Sequence, residues 1–168
     1  VYTAAATDVD AGATLTYSIS GADAALFNID ATTGVVTFKS SPNYEAPGDA
    51  GGNNVYDITV GTSDGTVTTT KDVAITVTNV NEGPAFTSTT TASFAETASG
   101  AAYTAAATDP DAGAVLTYSI SGADAALFDI NATTGAITFK SSPNYEAPGD
   151  AGGDNVYDVI VSATDGVN

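Results

Sequence analysis

The chain contains most of itself twice. Val1-Tyr2-Thr3-Ala4-Ala5-Ala6-Thr7-Asp8 returns as Ala102-Tyr103-Thr104-Ala105-Ala106-Ala107-Thr108-Asp109, and the 101-residue offset holds without a gap to Asn168. Of the 67 aligned positions 15 differ, mostly mildly, as in Val36/Ile137, Ile58/Val159, Asn28/Asp129 and Asp30/Asn131. Solenoid and propeller repeats run to about 20–50 residues, so a unit of this length suits a whole domain. The expected organisation is tandem modules, 1–82 and 83–168. Their boundary falls at Asn79-Val80-Asn81-Glu82-Gly83-Pro84, where a strand pattern runs into a polar Gly-Pro stretch. The repeat is out of frame. Module 1 is expected to lack its first strand and module 2 its last, so the sequence reads as a slice of a longer array.

Within each copy the local signal is β. Leu15, Tyr17 and Ile19 alternate with Thr16 and Ser18; Tyr56, Ile58 and Val60 with Asp57 and Thr59; Val73, Ile75 and Val77 with Ala74 and Thr76. These short period-two runs are bounded by Gly, Asn, Asp or Pro. Ala92-Ser93-Phe94 reads as a further short strand ending at Glu96. Asp30-Ala31-Thr32-Thr33-Gly34 has the composition of a tight turn. Only Ala22 to Leu26 has room for one helical turn. Several short strands in each module predict an all-β protein of two-sheet sandwiches, with the alternating apolar residues inside and Thr and Ser outside.

Charge narrows the chemistry. Twenty acidic residues stand against three lysines, for a formal charge of −17, and there is no Cys, His, Met or Trp. Attraction to nucleic acid or anionic lipid needs a basic face, which this chain lacks. Disulfides, Cys/His zinc sites and Ser-His or Cys-His nucleophile pairs are impossible. No apolar run approaches the roughly 20 residues of a membrane-spanning helix. The carboxylates either spread over a solvated surface or gather cations, and oxygen-only ligands favour calcium among the common metals. An EF-hand is excluded, because a loop counted from Asp8 places Ile19 where the twelfth-position Glu is required.

The acids stand at strand ends. Asp8-Val9-Asp10 and Asp109-Pro110-Asp111 precede Gly-containing loops, Glu45 and Glu146 follow Asn-Tyr pairs, and Asp64-Gly65 and Asp165-Gly166 close the strand of Tyr56 and its copy. Alternate strand ends of a sandwich point to opposite poles. Asp109, Asp111 and Asp165 are therefore expected together at one pole of module 2, Glu45 is expected at the far pole of module 1, and Asn79, Asn81 and Glu82 lie between. Such a set repels itself unless cations neutralise it.

In order, Ala6 to Asp10, Leu15 to Ile19, Phe27 to Gly34, Tyr44-Glu45, Tyr56 to Val60, Asp64-Gly65 and Asn79 to Phe86 resemble a cadherin repeat of the kind found in large bacterial surface proteins. The resemblance covers nearly the whole chain. It implies tandem immunoglobulin-like (cadherin-type) Greek-key β-sandwiches of seven strands, with Ca2+ bound at the junctions between repeats. Carried over by position, it implies metal ligation by Glu45, Asn79, Asn81, Glu82, Asp109, Asp111 and Asp165 at the internal junction. Asp8, Asp10 and Asp64 would serve a preceding junction, and Glu96 and Glu146 a following one. The family linker usually reads Asp-x-Asn-Asp-Asn-x-Pro. Here Asn79 stands for the first Asp, Glu82 for the second and Gly83 for the last Asn, one residue is missing before Pro84, and Asn43 replaces an Asp. Fewer carboxylates imply about two ions, held more weakly than in animal relatives.

The expected function is an extracellular, calcium-rigidified stalk, adhesive spacer or fibre segment at the cell surface, without enzymatic activity. Its partners would be neighbouring repeats of the same chain, other copies, or a surface glycan or protein. The alternatives are a carbohydrate- or protein-binding sandwich, or a filament subunit that donates a strand to an open sheet edge.

Overall fold

The computed structural model describes residues 1–10 and 12–167. It comprises two compact units, Val1–Val80 and Asn81–Asn168.

The first unit holds β1 (Tyr2–Thr3), β2 (Thr16–Ser20), β3 (Phe27–Ile29), β4 (Val35–Phe38), β5 (Val55–Ser63) and β6 (Thr68–Thr76). They form two antiparallel three-stranded sheets, ordered β1-β4-β3 and β2-β5-β6. The alternation along β5 does what period two dictates: Tyr56, Ile58 and Val60 retain 2%, 2% and 5% of their surface, while Asp57 faces solvent. Phe27 and Val36 from the first sheet join them in one core, against which Tyr17, Ile19, Val73, Ile75 and Val77 pack. The rings of Phe27, Phe38 and Tyr56 interlock, with Phe27 and Phe38 tilted at 4.4 Å and Tyr56 edge-on to Phe38 at 5.0 Å. The expected helical turn is a single 3-10 turn at Ala24–Leu26. Gly34 closes the tight turn at φ +70°, and a Cβ there would lie 2.6 Å from the Ala4 carbonyl oxygen, so only glycine fits.

Each unit is also stapled by buried aspartates. Asp23 accepts the Ala50 and Asp57 N–H groups at 2.7 Å each, tying a loop and β5 to the residue before the 3-10 turn. Asp49 accepts the Asn53 and Asn54 N–H groups at 3.0 Å. Those bonds, the Asn53 N–H first, hold the Asp49 carboxyl below the ordinary aspartate range despite its burial. Asp124 and Asp150 repeat both staples in the second unit.

The second unit holds β7 (Ala85–Phe86), β8 (Tyr103–Thr104), β9 (Ala107–Thr108), β10 (Thr117–Ser121), β11 (Phe128–Ile130), β12 (Ala136–Phe139) and β13 (Ile160–Thr164). Strands β11-β12-β8 repeat the first sheet, β10 pairs with β13, and β7 pairs with β9 through Ala85↔Thr108 and Phe86↔Ala107. The aromatic trio recurs, with Phe128–Phe139 at 4.3 Å and Phe139–Tyr157 at 4.9 Å. The expected strand at Ala92–Phe94 does not form a ladder; ring packing of Phe94 on Phe139 at 5.4 Å holds that segment instead. The fold is all-β and immunoglobulin-like. No helix among the described residues is long and apolar enough to cross a membrane.

Candidate metal centre

Five of the sequence-indicated residues meet at one end of the second unit. Asp109 and Asp111 sit just beyond β9, Asp165 just beyond β13, and Asn81 and Glu82 lead into β7. The Asp111 N–H donates to Asp109 Oδ1 at 2.9 Å, an aspartate turn that points both carboxylates to the same end. Asp111 Oδ2 accepts the Glu82 N–H at 2.9 Å. Asn81 Nδ2 donates to Asp165 Oδ2 at 2.6 Å and to the Glu82 carbonyl oxygen at 3.0 Å. Asp165 Oδ1 accepts the Val167 N–H at 3.0 Å, closing its own turn. Glu82 and Asp111 each offer a carboxylate oxygen within 4.8 Å of the other.

One atom tests whether a cation fits. Asp109 Oδ2 is buried and has no hydrogen-bond donor. A buried carboxylate oxygen without a donor carries its full desolvation penalty, which a bound cation removes. The group consists of oxygen donors from four acids and one amide, the set that suits a hard divalent ion.

The remaining indicated residues belong to the first unit or to other parts of the second. In the first unit the Asp10 N–H donates to Asp8 Oδ1 at 2.8 Å, the same aspartate turn, with both residues exposed. Asp64 caps the β5–β6 turn: its Oδ1 accepts the Val67 N–H at 2.7 Å and the Thr66 N–H and hydroxyl at 2.8 Å each. Those bonds, the Val67 N–H first, pull the Asp64 carboxyl from its ordinary 3.8 down to about 2. Among the described residues Asp8, Asp10 and Asp64 do not gather three carboxylate oxygens within 4.8 Å. Glu45 is half-buried, and its N–H donates to Asn43 Oδ1 at 2.8 Å; Asn79 is exposed. Elsewhere in the second unit, Glu96 Oε2 accepts the Tyr145 N–H at 2.8 Å, next in sequence to Glu146. The Glu146 N–H in turn donates to Asn144 Oδ1 at 3.0 Å.

No family model matches the chain. Among solved structures it is similar to human protocadherin-24 EC1-2 in its form II crystal, at 24% identity and a TM-score of 0.65, over 97% of this chain and 82% of that one. Mouse protocadherin-24 EC1-3 is similar at 27% identity and a TM-score of 0.55, over 90% of this chain and 52% of the other. Drosophila N-cadherin EC1-4 is similar at 24% identity and a TM-score of 0.56, over 91% of this chain and 37% of the other.

The fold is cadherin-like. In this cadherin-like frame the acids at the described end come from strand termini and from the segment entering β7, so the polar end is separate from the apolar core. Sequence reasoning singled out these acids but not the structural staples Asp23, Asp49, Asp124 and Asp150. Their only signal was position: an aspartate two residues before Ala-Leu-Phe, or two residues before Gly-Gly, has the composition of an exposed turn.

Proposed function

We propose that the chain is a calcium-binding extracellular repeat that acts as a rigidified spacer or adhesive stalk, with a mechanical rather than catalytic role. The observation that carries this reading is the donorless Asp109 Oδ2 beside Glu82, Asp111 and Asp165. Asp109, Asp111, Asp165 and Glu82 would supply charge, and Asn81 an amide oxygen. Glu45 and Asn79 of the preceding repeat would complete the set, so that about two ions tie one module to the next. Asp8, Asp10 and Asp64 would serve the corresponding end of the first unit, and Glu96 and Glu146 a further junction. Bound calcium supplies positive charge and a fixed coordination geometry.

Charge arithmetic supports the reading. Twenty acids stand against three lysines, so the protein's own cations leave a net −17; one lysine pairs weakly with an acid, Lys140 with Asp129 at 4.0 Å. Acidic ends repel, and cations convert that repulsion into cohesion. Sites of this kind fill at about 10⁻⁴–10⁻³ M calcium, the range of extracellular modules. The cadherin-like fold supports the same role, with adjacent repeats and further copies as partners.

Thermal unfolding of the full chain with calcium and with a chelator tests the proposal. Calcium at ten times its Kd stabilises by about 1.4 kcal/mol per site, which raises Tm by several degrees in a domain of this size. Superimposable melts at about 10 mM calcium, above the weakest extracellular range, would rule it out.

A further inference from the structure

Two of the differences between the copies amount to a swap. Asn28-Ile29-Asp30-Ala31-Thr32 in the first unit becomes Asp129-Ile130-Asn131-Ala132-Thr133 in the second. The exchange creates the one Asn-x-Ser/Thr tripeptide of this sequence, Asn131-Ala132-Thr133, and sets an acid two residues ahead of the asparagine. The tripeptide lies in the tight turn between β11 and β12, with Asp129, Asn131 and Thr133 all exposed. Asn131 Oδ1 accepts the Thr133 and Thr134 N–H groups at 3.0 Å each. Those two donors fix which amide atom is which, because an amide nitrogen accepts no hydrogen bond. With Oδ1 turned in to the backbone, Nδ2 is turned away from it, and among the described residues neither Nδ2 nor the Thr133 hydroxyl has a hydrogen-bond partner.

We propose that Asn131 is the acceptor of an N-linked oligosaccharide. The transfer needs an exported chain, so the site rests on the extracellular reading above. Asn131 Nδ2 bonds to the anomeric carbon of an oligosaccharide carried on a polyprenyl diphosphate. The bond from that carbon to the diphosphate oxygen breaks, the lipid diphosphate leaves with the electron pair, and one Nδ2 proton passes to solvent. The first unit cannot react in this way. Asp30 makes the same turn, its Oδ1 accepting the Thr32 and Thr33 N–H groups at 2.8 and 2.9 Å, but it offers a carboxylate and no nitrogen. The modification therefore marks one unit and not its copy. An oligosaccharide is bulky and well hydrated, and an exposed turn leaves it in solvent, clear of the apolar core.

To test this, the full chain is exported into a compartment holding three things: an oligosaccharyltransferase of the class that reads an acid two residues before the asparagine, its lipid-linked donor and a control acceptor protein. Intact mass and peptide mapping read the product. One oligosaccharide per chain is expected, on the peptide that holds Asn131. Asn131→Asp restores the turn of the first unit, so it keeps the fold, and it should lose the oligosaccharide completely. Thr133→Ala should do the same, and Asp129→Ala should remove most of it. Asn28→Asp with Asp30→Asn should add a second oligosaccharide, on the first unit. An unmodified chain recovered beside a modified control acceptor would overturn the proposal, as would an oligosaccharide that survives Asn131→Asp. So would a first unit left bare by the double substitution, because the turn would then not be what presents the acceptor. Calcium titration of the unmodified chain reads the metal centre separately. A chain that binds calcium yet stays unmodified overturns this site and leaves the spacer reading standing.

Discussion

The two units place near-identical residues in different surroundings, and the contrast separates what a residue's neighbours in sequence decide from what its neighbours in space decide. The aromatic trio, the 3-10 turn and the aspartate staples recur with almost unchanged distances: 4.4 and 4.3 Å for the paired phenylalanines, 2.7 Å for the bonds to Asp23 and Asp124, and 3.0 Å for those to Asp49 and Asp150. These features are built from residues present in both copies. The burial of Tyr56, Ile58 and Val60 is not reproduced at Tyr157, Val159 and Val161, because it depends on β6, which packs only on the first unit. The same apolar positions are therefore deeply buried where a β6 ladder covers them and half-buried where, among the described residues, none does.

The strongest test of that contrast converts the first unit into the second. Val73→Asp with Ile75→Asp places two charges on the face of β6 that covers the core. Burying unpaired charge costs several kcal/mol, so β6 should detach and the first unit should melt at or below the second. A first-unit transition that stays put in calorimetry would mean β6 is not what closes the core.

A single core truncation sharpens the same point. Ile58→Ala should destabilise the first unit by about 2–5 kcal/mol, the range for a fully buried isoleucine. Val159→Ala should cost less, about 1 kcal/mol, since it removes less chain from a half-buried site. Chemical denaturation of each variant measures both, and equal losses would contradict the burial difference.

The staples should behave alike in both units. Asp23→Ala leaves the Ala50 and Asp57 N–H groups without partners at a cost of about 1–3 kcal/mol, and Asp124→Ala should match it within roughly 0.5 kcal/mol.

The smallest expected effect is a pH dependence specific to the first unit. The Asp64 carboxyl ionises at about 2 in the folded unit against 3.8 ordinarily. Its folded value is the lower, so its stabilisation is present in full above the unfolded value. That stabilisation is lost as pH falls from about 4 to 2. Asp64→Asn should flatten that part of the first unit's acid denaturation curve. A curve unchanged by the substitution would show that the turn bonds to Val67 and Thr66 do not hold the carboxylate.

Much of the fold was legible in the sequence because period-two alternation is a direct projection of sheet geometry. Tyr56, Ile58 and Val60 point inward and Asp57 outward, as their spacing required. The Ala92–Phe94 strand was misread because three alternating residues cannot specify a ladder; what holds Phe94 is a ring on Phe139, distant in sequence. The acids were legible as a class and by strand end. The bonds that join Asn81 to Asp165 and Glu82 to Asp111 span 84 and 29 residues and follow from topology. The staples were illegible for a different reason. A buried aspartate satisfied by backbone N–H groups has the same local composition as an exposed turn, and only the folded chain shows which donors reach it.

The central claim is that the end of the second unit bearing Asn81, Glu82, Asp109, Asp111 and Asp165 holds calcium. Ion counting by calorimetric titration of the full chain, beside an Asp109→Asn/Asp111→Asn variant, tests it most directly. The account predicts saturable uptake of about two ions with Kd in the range of about 10⁻⁴–10⁻³ M, most of it lost in the variant. Uptake that the double substitution leaves unchanged, or none at calcium above that range, would contradict it.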